Sequence, residues 1–146
     1  MATYFARGGA QDRLVAADKR QALAQALKVI GRPLRRVLLL PPDHTRLNSN
    51  AGELADLLYE MLSPKTKVDI MPALGTHSPM TEGQLRLMFG ERIPLNRFLV
   101  HDWRNGVRRV GEIPGKMMKA WSEGLVDYPI RVEVNRRLFE GYDLIL

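Results

Sequence analysis

Short apolar runs alternate with amphipathic helical segments along this chain, and this alternation restricts the possible folds more than any other feature. Residues 37–40 are continuously apolar, as is typical of a strand buried on both faces. Residues 68–71, which are apolar apart from Asp69, form a second short run and are predicted as the second strand. Between the two runs, apolar side chains recur at helical spacing at Leu54, Leu57, Leu58, Met61 and Leu62. This order predicts an α/β fold: a Rossmann-like parallel sheet with helices on both faces.

Local end signals predict where the first two helices begin. Residues 19–30 carry apolar side chains on one face, with Asp18 expected as the cap of the helix and Gly31 as its stop. The helix between the two apolar runs is expected to begin at Asn50. Glu53 occupies the reciprocal position of a capping box there.

The second half of the chain adds one helix and three strands by the same criteria. Thr81 and Gln84 have capping-box spacing, which predicts a short helix that ends at Gly90. Strands are predicted at residues 98–100, 130–134 and 142–146. The last of them is apolar and stops with the chain, so we expect a truncated strand.

Length and composition exclude several classes of protein. With 146 residues, the chain is expected to form a single domain over residues 1–146. It contains no cysteine, which excludes a disulfide scaffold, an iron–sulfur cluster and a thiol nucleophile. No apolar run is long enough to cross a membrane, and the first residues do not resemble a signal peptide, so a cytoplasmic location is expected.

The net charge of +6 favours anionic partners such as phosphorylated cofactors, carboxylates or nucleic acid. The arginines are scattered along the chain, with no basic helix face and no interleaved aromatic residues. A basic anion-binding or nucleic-acid-binding module therefore remains an alternative, and nucleic acid is not the expected partner.

All three histidines of the chain follow predicted strands. His44 comes after the first, His77 after the second and His101 after the third. Ligands of parallel sheets bind at the carboxyl ends of the strands, so this edge is the expected functional edge. One interpretation is a zinc-dependent hydrolase in which these histidines join Asp43 and Asp102, although no two histidines have the helical spacing of many zinc sites.

Two loops at this edge contain further candidate catalytic and binding residues. In the first, Asp43 and Thr45 precede Arg46, whose planar guanidinium can hold a carboxylate at two points. In the second, Gly75 allows a tight turn and a hydroxyl group at Thr76 precedes His77, a natural proton carrier near neutral pH. These residue types suit a general base beside an anion anchor.

The motifs together resemble the N-terminal domain of the lactate racemase family, the nickel-pincer-nucleotide enzymes. The resemblance runs from about residue 36 to residue 146 and rests on the order and spacing of four motifs. They are Asp43-His44-Thr45-Arg46, Ala73-Leu74-Gly75-Thr76-His77, His101-Asp102 and Val132-Glu133-Val134-Asn135-Arg136. Leu47 and Ser78 stand where the family has proline and arginine, so the particular substrate is left open.

The resemblance implies a racemase or epimerase of 2-hydroxy acids, an isomerase that contains a nickel-pincer nucleotide. By the same resemblance His77 is the general base and Arg46 holds the substrate carboxylate. The residues expected near the cofactor are Asp43, Thr45, Gly75 and Thr76. The roles of His44 and His101 stay open.

In the family, a segment after the last strand supplies a second catalytic histidine, the lysine joined to the cofactor and a nickel-coordinating histidine. These residues are not in the chain, so we expect no metal ligand here, an absent C-terminal domain and no activity of the chain alone. The implied partners are a small 2-hydroxy acid and that missing domain. Neither nucleic acid nor a membrane is expected.

Overall fold

The computed structural model describes residue 3 and residues 5–146. In chain order its helices and strands are α1 (Ala16–Ile30), β1 (Arg36–Leu39), α2 (Ala51–Leu62), β2 (Lys67–Ile70), α3 (Glu82–Phe89), β3 (Val107–Ile113), α4 (Gly115–Trp121), β4 (Ile130–Asn135) and β5 (Leu144–Ile145). Short 3-10 helices lie at His44–Ser49, Leu95–Arg97 and Arg136–Phe139. Within the described residues, no helix is both long and apolar enough for a membrane span.

A three-stranded parallel sheet with the order β2-β1-β5 forms the centre of the fold. Val37 of β1 lies opposite Val68 of β2 on one side and Leu144 of β5 on the other. The ladder continues past β5, because the Leu40 N–H donates to the Leu146 carbonyl at 2.7 Å. The sheet and its flanking helices confirm the predicted α/β fold.

The core lies between one face of this sheet and the helices. Alternate strand residues Val37, Leu39, Val68 and Ile70 face it, because successive side chains of a strand point to opposite sides. They pack against buried residues of α2 and α3, namely Ala55, Leu58, Leu62, Met88 and Phe89. Asp69 falls on the alternate face of β2, where it is buried and accepts a hydrogen bond from the Tyr142 hydroxyl at 3.0 Å.

One of the three helix starts agrees with its predicted capping residues. The Gln84 N–H donates to Thr81 Oγ1 at 3.3 Å, and the Thr81 N–H donates to Gln84 Oε1 at 2.9 Å, so the capping box of α3 is confirmed. Asp18 is not the cap of α1. It lies in the first turn and accepts from the Val15 N–H at 3.0 Å, because the helix begins earlier, at Ala16.

The capping box predicted at the start of α2 is wrong. Asn50 precedes the helix with a positive φ of 59° and its side chain makes no capping bond. The Ser49 hydroxyl accepts from the Ala51 N–H at 3.2 Å instead. Glu53 forms an ion pair with Lys19 of α1, so a contact between helices replaces the local one.

The strand predicted at residues 98–100 is reduced to a single bridge between Phe98 and Ile70. The Leu99 N–H donates to the Ile70 carbonyl at 2.7 Å, after which the chain leaves the sheet edge. A 3-10 helix at Leu95–Arg97 directly precedes this bridge.

β3 and β4 form a separate antiparallel ribbon that the sequence did not predict as such. β4 was expected as a strand from its alternating pattern, and this is confirmed. β3 carries Arg108, Arg109 and Gly111 in place of apolar residues and therefore has no such pattern. Pairing with β4 makes it a strand.

Candidate functional site

The loops after β1 and β2 are tied together beyond the strands themselves. The Ala73 N–H donates to the Pro41 carbonyl at 2.8 Å, and Pro42 pairs with Ala73 in a parallel bridge. This extension of the ladder places the loop that carries Asp43 beside the loop that carries His77.

Asp43 is buried at this junction and is the acceptor of three hydrogen bonds. Its Oδ1 accepts from the Thr45 N–H at 3.1 Å and from the Thr45 hydroxyl at 2.5 Å. Its Oδ2 lies 2.6 Å from Nδ1 of His77. The hydrogen bond from His77, followed by those from Thr45, lowers the pKa of Asp43 to about 2, so the carboxylate stays ionised at neutral pH.

The orientation of His77 follows from this contact. An ionised carboxylate only accepts hydrogen bonds, so Nδ1 of His77 must be the donor. In the neutral ring Nε2 then has no proton and is free to take one. The side chain is 59% exposed, so that nitrogen is accessible to a ligand.

Gly75 makes the His77 loop possible. Its φ is 58°, a conformation that residues with a Cβ rarely adopt, and the turn is closed by a bond from the His77 N–H to the Leu74 carbonyl at 2.9 Å. Thr76 lies between this glycine and His77 in the sequence.

An open cavity of about 600 Å³ lies beside His77. Residues 76–79 form one wall and residues 100–105 form the other. His101 is on the second wall, and its Nδ1 lies 2.8 Å from Nδ2 of the buried Asn135. The size of the cavity is typical of sites for small ligands.

Arg46 lies in the same turn as Asp43 but outside its hydrogen-bond cluster. Its N–H donates to the Asp43 carbonyl at 3.0 Å, and its side chain is exposed. Among the residues that the structure describes, no carboxylate pairs with its guanidinium. The structure thus joins Asp43, Thr45 and His77, with an exposed cation nearby.

The three histidines do not converge. His77 contacts Asp43, His101 contacts Asn135, and Nε2 of His44 accepts a hydrogen bond from the Gln84 side-chain amide at 3.0 Å. Across residue 3 and residues 5–146, no three His, Asp or Glu side chains lie close enough to hold a metal ion. The arrangement required by a zinc hydrolase of these histidines is not formed.

Comparisons with known proteins show the family of the domain. The family model described as lactate racemase N-terminal domain matches residues 14–145. The chain belongs to this family. Among curated proteins none matches the domain.

The domain is also similar to the crystal structure of a protein from Thermotoga maritima, with 26% sequence identity and a TM-score of 0.78. The match covers 90% of this chain and 32% of the other chain. The domain therefore spans about a third of the length of that protein.

Asn135 is a site residue that was not predicted. It lies in the Val132–Arg136 motif, but no rule of spacing connects it to His101, because the two are 34 residues apart. The antiparallel pairing of β3 with β4 brings Asn135 opposite Val107, close to the loop after His101.

Proposed function

We propose that this domain forms the substrate-activating part of the active site of a 2-hydroxy-acid racemase or epimerase. The pair formed by Asp43 and His77 at the edge of an open cavity is the observation that carries this proposal. It combines an ionised, buried carboxylate with an exposed histidine whose Nε2 is free to accept a proton. That combination suits removal of a proton from a substrate hydroxyl.

In this proposal the substrate lies with its C2 hydroxyl group against His77. The O–H bond breaks, its proton goes to Nε2, and the negative charge of Asp43 stabilises the imidazolium that forms. Thr45 holds Asp43 in place through two hydrogen bonds. Arg46 binds the substrate carboxylate through its guanidinium, which belongs to the same turn.

Removal of hydride from C2 and its return to either face is chemistry that the nickel-pincer nucleotide of the family supplies when bound. The described residues form no cluster of three metal-binding side chains, and the nickel-coordinating histidine of the family belongs to the segment after the last strand, so this chain is not proposed to hold the metal. Gly75 and Thr76 are the residues of this chain proposed to lie toward the nucleotide, since Thr76 lines the cavity beside His77. No step of the proposal is assigned to the metal.

The remaining ligands of the cofactor are proposed to come from the rest of a longer protein. In support, the match to the Thermotoga maritima protein covers 90% of this domain but only 32% of that protein. The proposal thus assigns substrate recognition to this domain and the remaining cofactor ligands to the rest of the longer protein.

Ligand binding to the 146-residue chain tests the assignment of substrate recognition. Lactate should shift the ring resonances of His77 in an NMR titration, and propionate, which lacks the hydroxyl group, should shift them much less. Arg46→Gln should weaken lactate binding about tenfold, the effect of losing one charge-assisted interaction.

The matched control is Arg131→Gln, which removes the same charge from an exposed position on β4. It should bind lactate like the wild type. Equal responses to lactate and propionate, or equal weakening by the two substitutions, would contradict the proposed site.

A further inference from the structure

Two histidines border the same cavity with opposite hydrogen-bonding roles. His77 lies on one wall and His101 on the other. Nδ1 of His77 is a donor, because its partner is the carboxylate of Asp43. Nδ1 of His101 has a different partner, the side-chain amide of Asn135. The two neutral rings therefore differ in which nitrogen carries the proton.

The orientation of the Asn135 amide is determined by a backbone group. Oδ1 of Asn135 accepts from the Arg137 N–H at 2.9 Å, and a backbone N–H can only donate. The amide nitrogen of Asn135 must then point to His101, so Nδ1 of His101 is an acceptor. In the neutral ring the proton is on Nε2, for which the described residues provide no partner.

Asn135 is held in a position that fixes which nitrogen of His101 carries the proton. It is only 6% exposed and ends β4, where the ladder holds it opposite Val107. Its side chain makes two hydrogen bonds, one to a backbone group and one to a ring, so it cannot turn over without losing both.

We propose that His101 is a second substrate-contacting residue, which donates an Nε2–H hydrogen bond to the C2 oxygen of the hydroxy acid while His77 takes the proton of that oxygen. The proposal rests on the function proposed above and extends it to the opposite wall of the cavity. His101 keeps its own proton throughout. As the O–H proton passes to His77, negative charge grows on the oxygen, and a fixed donor stabilises that charge. Asn135 is the positioning residue that keeps the donor in place.

The tautomers can be measured directly on the 146-residue chain labelled with ¹⁵N. Long-range ¹H–¹⁵N spectra should show the Nδ1–H form for His77 and the Nε2–H form for His101. Titration with lactate should then shift the Nε2 resonance of His101 together with the ring resonances of His77. An Nδ1–H form of His101 in the free protein would overturn the proposal.

Substitutions separate a contact with substrate from a merely structural role. His101→Phe keeps a ring but loses the donor, and it should weaken lactate binding about tenfold, or about 1.4 kcal/mol. His101→Gln places an amide N–H near the position of Nε2 and should restore most of the affinity. Asn135→Asp can still accept from the Arg137 N–H, but it turns a donor into an acceptor, so His101 should change to the Nδ1–H form and binding should weaken.

The outcomes distinguish this proposal from the one on which it rests. If lactate shifts His77 but not His101, the contact by His101 is wrong and the role of His77 stands. If lactate shifts His101 alone, His101 is retained as a contact and the base assignment of His77 fails. If it shifts neither ring, both proposals are overturned. Equal affinity of His101→Phe and wild type also rejects the contact.

Discussion

Asp43 illustrates how a single buried side chain organises this site. A carboxylate that is only 3% exposed needs partners for its oxygens, and both oxygens have them in Thr45 and His77. The resemblance placed Asp43 near the nucleotide. The structure turns its carboxylate toward His77, which makes orientation of that ring its evident physical effect.

Replacement of Asp43 by asparagine should impair the base without unfolding the domain. The asparagine side chain is similar in size but neutral, so it neither requires the Nδ1–H form of His77 nor stabilises the imidazolium. Turnover of 2-hydroxy acids by the longer protein proposed above should fall about 100- to 10,000-fold. Steady-state kinetics measure the loss, and circular dichroism checks the fold. Turnover near the wild-type value would show that the contact does not matter for activity.

The contribution of Asp43 to stability should depend on pH. Its folded-state pKa of about 2 lies below the ordinary value of 3.8, so folding favours the ionised form. The stabilisation is complete above about pH 4 and is lost as the pH falls through 2. Urea unfolding should therefore show a difference between wild type and Asp43→Asn that is constant from about pH 6 to about pH 4 and shrinks below it. A difference that grows as the pH falls from about 4 to about 2 would contradict this pairing.

His77 and Arg46 should affect different kinetic constants in the longer protein. His77→Ala removes the proton acceptor and should lower kcat about 100- to 10,000-fold. Arg46→Lys keeps the charge but not the planar two-point contact, so it should mainly raise KM. If His77→Ala retains nearly normal turnover, or simply unfolds the protein, then His77 is a structural residue.

The packing of α2 on α3 depends on one glycine. A Cβ built on Gly52 would lie 1.9 Å from the carbonyl oxygen of Met88, so the two helices approach too closely there for any side chain. The buried residues Met88 and Phe89 extend the sheet-facing core from this contact. The close approach of α2 and α3 therefore depends on the absence of a side chain at Gly52.

Gly52→Ala should lower the free energy of unfolding by about 1–3 kcal/mol, because α2 and α3 must move apart. Gly83→Ala is the matched control, since it lies in α3 with open space around the added Cβ. It should be neutral or stabilising by up to about 1 kcal/mol, as expected for alanine in a helix. Urea unfolding of both variants tests the pair, and equal stabilities would disprove the close contact.

The domain as a whole provides only part of the proposed reaction site. It contains the proposed proton acceptor, the proposed anion-binding side chain and a cavity, but the described residues form no cluster of three metal-binding side chains. We therefore expect the purified 146-residue chain to leave the enantiomeric ratio of lactate unchanged, as measured by chiral chromatography. The longer protein loaded with cofactor is the positive control. Interconversion by the chain alone would refute this expectation.

The amino-acid sequence by itself predicts the α/β fold and the edge of the sheet at which the candidate site residues lie. Apolar runs, helical periodicity and the capping box at Thr81 are local, so they can be recognised without knowing the partners across space. Their order along the chain also placed His44, His77 and His101 after successive sheet segments. The local rules failed where a contact with a distant residue replaced them, as for Glu53, which pairs with Lys19.

Only the tertiary structure decided which of these groups act together. Asp43 meets His77 and His101 meets Asn135 across separations of 34 residues, and His44 is held by Gln84 instead of joining the other histidines. The antiparallel ribbon of β3 and β4 likewise depends on pairing and not on the pattern of β3. Hydrogen bonds between residues distant in the chain depend on how the elements pack against one another, and no local spacing in the sequence records which distant residues become partners.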